Sequence, residues 1–90
     1  MVTNIIKRAG HSEPYAENKL KASLEHAALS IRALEGEAEL LADRVASSVT
    51  TWIQDKAEVT SVDVRRVASE FLGELHAEAA YSYDVHDHSL

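Results

Sequence analysis

Two spacings of apolar residues divide the chain. Over residues 3–15 the apolar positions are few: Ile5 and Ile6 run into Lys7 and Arg8, Ala9-Gly10 supplies a turn, and Pro14 stops the run. That pattern predicts a β-hairpin over 3–15. Beyond it the spacing becomes helical. Leu20, Leu24, Ala27, Ala28 and Ile31 fall on one face of a helix over 17–29, because positions three and four apart are neighbours on a helix. Residues 32–36 are the predicted connection, punctuated by Gly36. A second helix over 37–54 buries Leu41, Val45, Val49, Trp52 and Ile53, backed by the small residues Ala38, Ala42 and Ser48.

Residues 56–60 are extended in character and predict a third strand that pairs with the hairpin. Thr60 or Ser61 caps a third helix, with Asp63 placed where a carboxylate favours the positive helix terminus. Val64, Val67, Ala68, Phe71, Leu72 and Leu75 form its apolar stripe, which Gly73 weakens only modestly. A fourth short helix reaches about residue 83, and residues 84–90 read as a polar tail. The predicted fold is α+β: a small α-helical domain of three to four helices capped by an N-terminal β-hairpin with a short third strand. Residues 1–90 make one domain, with a hairpin over 3–15 and a helical body over 17–83.

Composition narrows the chemistry. The chain is 46% hydrophobic and 27% charged, enough apolar content to fold. Its net charge of −6 argues against nucleic-acid binding, which draws affinity from a basic surface. With no cysteine, disulfides, thiolate metal sites and thiol nucleophiles are excluded within the chain. No apolar run reaches the roughly 18–20 residues that cross a bilayer, and no signal-peptide block opens the sequence. The expected protein is soluble and cytoplasmic, without a membrane contact.

Any anion site must then be a local basic pocket on an acidic body. Lys7 and Arg8 lie on the hairpin arm and Lys19 on the first turn of the next helix. Converging cations suit a polyphosphate, because each charge-assisted contact to a phosphate oxygen is short and directional.

The wording of this region resembles the ATP-cone, a nucleotide-sensing module of ribonucleotide reductases and of the repressor of their genes. The residues that carry the resemblance are Ile6, Lys7, Arg8, Ala9, Gly10, Glu13, Pro14, Tyr15, Lys19 and Leu20. Glu58-Val59-Thr60-Ser61-Val62-Asp63-Val64 looks like the family's turn into its third helix, and Ala79-Ala80-Tyr81-Ser82-Tyr83 like the motif on its last helix. The resemblance implies a hairpin that closes as a lid over ATP or dATP, with Mg2+ as an optional companion of the phosphates. It places Lys7 and Arg8 on the phosphates, Glu13 near the adenine, Tyr15 against the base and Lys19 reaching back from the first helix. Ile6, Gly10, Leu20 and Val64 complete the site, and Ser61 and Arg65 offer polar groups at a helix N-terminus. Three positions depart from the family pattern: Ala9 for an aspartate, Ala16 for a polar residue, and an acidic and histidine-bearing segment after Tyr83 in place of a basic helix.

Simpler readings stand beside these. Lys7-Arg8 also suits a solvated edge-strand pair, and Trp52 suits core packing or a partner surface. Tyr81 and Tyr83 suit packing with hydroxyls at solvent. His86 and His88 with Asp84 and Asp87 offer metal-ligand chemistry on a tail. Glu35, Glu37 and Glu39 favour a helix start and need no catalytic role, and His26 reads as a polar residue of the first helix. An enzyme has little to rest on: no nucleophile with a base at recognisable spacing, no Walker-type phosphate loop, no rigid metal cluster.

The resulting expectation is a free-standing, non-enzymatic module. It binds ATP or dATP reversibly and acts allosterically on a partner or on its own oligomeric state. In family terms the partner is ribonucleotide reductase or its regulator. The alternative is a degenerate cone that binds no nucleotide and serves as a protein-interaction or oligomerisation module.

Overall fold

A computed structural model describes residues 3–85. The chain runs β1 (Asn4–Ile6), β2 (Ser12–Pro14), α1 (Glu17–Ser30), α2 (Glu35–Ile53), β3 (Glu58–Thr60), α3 (Ser61–Leu75) and α4 (Ala77–Val85). The predicted α+β class holds, with a small mixed sheet and four helices.

The sheet order is β2-β1-β3. β1 pairs antiparallel with β2, setting Ile5 opposite Glu13, and parallel with β3, setting Ile5 opposite Val59. Gly10, at φ 91°, closes the hairpin: its N–H bonds the Lys7 carbonyl at 2.9 Å, and the Lys7 N–H bonds the His11 carbonyl at 2.9 Å. A three-residue loop ending in the left-handed region needs glycine there, because a side chain would crowd the backbone. Thr3 anchors the start of the sheet. Its buried hydroxyl lies 2.6 Å from the Lys56 carbonyl and 3.0 Å from that of Ile53.

The helices pack around one core that includes Leu20, Leu24, Val45, Val49, Val64, Leu72 and Tyr83. Alanines at Ala27, Ala42, Ala46, Ala68 and Ala79 keep the helices close, since each contributes little more than a methyl group. Thr60 caps α3, accepting from the Asp63 N–H at 3.0 Å. His76 ends α3 and caps α4, its Nδ1 accepting from the Ala79 N–H at 3.2 Å. α1 and α4 are joined by a Ser30–Ser82 hydroxyl contact of 2.7 Å.

Several expectations need correction. Gly36 is not the punctuation between the first two helices; it lies in the first turn of α2. The break is at Arg32, at φ 67°, where Arg32 N–H bonds Leu29 O at 3.0 Å and Ala33 N–H bonds Ala28 O at 3.2 Å. That pair of bonds is the Schellman arrangement, which satisfies the last carbonyls of a helix. Leu75, the last residue of α3, is 45% exposed, so the buried stripe ends at Leu72. Tyr83 does not carry its hydroxyl to solvent. It is fully buried, its hydroxyl 3.5 Å from that of Ser23. α4 runs through Val85, so the first two residues of the predicted tail are helical. His86, Asp87 and His88 lie outside the described residues.

Candidate functional site

β1 and β2 bring one face of the sheet over the start of α1. Side chains alternate along a strand, so Ile5, its cross-strand partners Glu13 and Val59, and Lys7 share that face, and Ile6 points the other way. Ile5 and Val59 are buried. Glu13, paired across from Ile5, is charged and lies on the edge strand.

Between this face and the helices lies a crevice lined by Ile5, Lys7, Glu13, Pro14, Tyr15, Ala16, Lys19, Leu20 and Val64. Its volume is about 10 Å³, room for about one water molecule. One carboxylate oxygen, Glu13 Oε1, closes it: Lys7 Nζ is 3.2 Å away and Lys19 Nζ 3.0 Å. The hydrogen bonds from Lys19 and then Lys7 hold the Glu13 carboxyl below its ordinary pKa.

Tyr15 forms the inner wall. Its hydroxyl is 3.0 Å from Thr50 Oγ1. The Thr50 hydroxyl lies 2.6 Å from Glu17 Oε2 and 2.8 Å from the Ala46 carbonyl. Its single proton goes to one of those acceptors, so Tyr15 is the donor in their contact. Burial raises the Tyr15 pKa, and the hydrogen bond to Thr50 opposes that shift. α1 follows the N-cap residue Ala16, which supplies no side-chain cap, and its first turn lies beside the crevice.

The crevice thus gathers Lys7, Glu13, Tyr15, Lys19, Leu20 and Val64 from the set that the sequence singled out. Arg8 is exposed on the hairpin loop, with Gly10 two residues on. Ser61, half-buried, opens α3. Arg65 turns toward α4, with its guanidinium 3.4 Å from the Tyr83 carbonyl and 5.7 Å from the Tyr83 ring centre. Sequence reasoning missed Ile5, Pro14 and Ala16 as walls and Thr50 as the anchor of Tyr15. Strand alternation carried a signal for Ile5, which is two residues from Lys7. The Thr50 contact spans 35 positions and left none.

No group of three or more histidines or carboxylates among the described residues is placed to hold a metal ion. No helix among them is long and apolar enough to cross a membrane. The family model of the ATP cone domain matches residues 3–86, and the chain belongs to that family. No curated protein matches it. ATP-cone domains are regulatory modules that bind adenine nucleotides, which gives the cation-flanked crevice a chemical context.

Proposed function

We propose that the chain is a sensor that binds ATP or dATP in the crevice between β2 and α1 and performs no catalysis. The observation that carries this reading is the convergence of Lys7 and Lys19, from separate elements, on one carboxylate oxygen. Two ammonium groups that share an oxygen atom can share a phosphate oxygen. Arg8, on the adjoining loop, reaches toward the outer phosphates. Tyr15 and Leu20 offer an aromatic and an apolar wall for the base.

Once the phosphates engage the lysines, Glu13 is released. Its carboxylate accepts a hydrogen bond from the adenine amino group; guanine presents an acceptor at that position, so the same carboxylate disfavours GTP. The closed crevice is far smaller than the ~300–1,000 Å³ of typical ligand pockets, so entry requires β2 and its loop to lift. Mg2+, if it accompanies the triphosphate, would offset part of the phosphate charge that Lys7 and Lys19 meet. The output is allosteric, exerted on a partner such as ribonucleotide reductase or its regulator, or on self-association through exposed Tyr81 and half-buried Trp52.

Thermal melting with and without ATP or dATP tests the reading. A ligand that binds only the folded state adds about 2.7 kcal/mol at a hundredfold excess over Kd. For a domain of this size that raises the midpoint by roughly 10 °C or more. No shift at millimolar nucleotide would favour the degenerate, interaction-only module.

A further inference from the structure

We propose that Glu13 is an intramolecular stand-in for phosphate: its carboxylate occupies the Lys7–Lys19 site in the empty protein, and an incoming anion must displace it. The inference deepens the nucleotide reading and rests on it for the identity of the natural ligand. It stands on placement. The same Oε1 atom meets both ammoniums, and all three side chains line one crevice. The site is therefore filled by a tethered anion before any ligand arrives.

The strand that carries Glu13 is built to yield. β2 has one neighbour, β1, and its outer edge is unpaired in the sheet order. Ser12 and Pro14 on either side of Glu13 are exposed, and Pro14 has no N–H to give to the ladder. Glu13 itself is more than a third exposed at its side chain, counting 35%. Turning it out to water costs no core packing.

A competing internal contact lowers apparent affinity by the fraction of molecules in which the site is open. Two ion pairs of modest strength, with Lys7 half-buried and Lys19 exposed, correspond to about a three- to tenfold penalty. Titration of the full chain with inorganic tripolyphosphate, a probe with no base, separates this role from adenine recognition. Glu13→Gln should bind tripolyphosphate about three- to tenfold more tightly than the wild type. Glu13→Ala, which also removes the oxygens, should gain at least as much. Amides of residues 11–15 should exchange faster in the ligand-free variants, because the strand has lost its tether.

Unchanged or weaker tripolyphosphate binding in both variants would overturn the stand-in role, and ATP binding by the wild type would leave the nucleotide reading intact. The converse result, tighter tripolyphosphate binding by the variants without ATP binding by any form, would uphold the stand-in role and defeat the nucleotide reading.

Discussion

The two strands of the hairpin are equal in length and opposite in character. β1 is the central strand, paired on both sides, with Ile5 buried in the core and Thr3 hydrogen-bonded to the turn after α2. β2 is an edge strand with exposed Ser12 and Pro14, and its inward side chain, Glu13, is fixed by ion pairs in place of apolar contacts. Burial of an aliphatic side chain is worth about 1.5–3 kcal/mol, whereas exposed ion pairs contribute little. The two strands are therefore held to the body by contacts of unequal strength. β1 is packed as part of the body, and in the proposed reading the loop with β2 is the part that lifts.

Substitutions on the two strands should show the contrast most strongly. Ile5→Ala should cost about 2–5 kcal/mol, the range for large-to-small changes in a core. Ser12→Ala should stay within about 0.5 kcal/mol. Chemical denaturation of both variants measures the difference, and equal losses would break the division between the strands.

The next effect concerns the ligand. Lys7→Ala should weaken ATP binding about tenfold to a hundredfold, since a charge-assisted hydrogen bond is worth roughly 1.5–3 kcal/mol. Its denaturation midpoint should change less than that of Ile5→Ala, because the ion pair to Glu13 is on the edge strand and not in the core. Calorimetry alongside melting reads both. Unchanged affinity would remove Lys7 from the site.

A smaller effect sharpens the contrast from the side of the body. Arg32 adopts a left-handed conformation at the end of α1, which costs a non-glycine residue about 1–2 kcal/mol, partly offset by the greater unfolded-state entropy of glycine. Arg32→Gly should raise stability by about 0.5–1 kcal/mol and leave nucleotide affinity unaltered. A loss of stability would show that the arginine side chain makes up for the strain.

The smallest effect is on pH dependence. Pairing with Lys19 and Lys7 depresses the Glu13 pKa. Its contribution is therefore present above the ordinary carboxylate pKa and fades as pH falls through the depressed value. Amide exchange in β2, corrected for its intrinsic pH dependence, should quicken in that acidic window and be flat in Glu13→Gln. The β1 amides should be indifferent to both changes.

The sequence made the helices legible because their apolar residues repeat with helical spacing, and Thr60 and Ser61 together announced the start of α3, with Thr60 the cap in the structure. Val59 signalled the short third strand. Gly36 misled because glycine is read as punctuation, whereas the real break falls on Arg32, whose left-handed conformation accompanies the two hydrogen bonds that close α1. Periodicity placed Leu75 on the apolar face of α3 but carried no sign that the last residue of the helix is exposed. Tyr83 shows the opposite case: it joins the core, with its hydroxyl near Ser23, sixty residues away. The same limit governs the crevice. Lys7, Glu13 and Lys19 were legible as charged residues near one turn, but their meeting on a single oxygen atom is a property of the folded chain.

Titrating the 15N-labelled chain with ATP and following its amide resonances tests the central claim most directly. The account predicts saturable shifts at residues 7–20 and at Val64, with slowed exchange in residues 8–15 and little change along the buried face of α2. Resonances that stay fixed at millimolar ATP, or shifts that cluster away from the Lys7–Lys19 crevice, would contradict it.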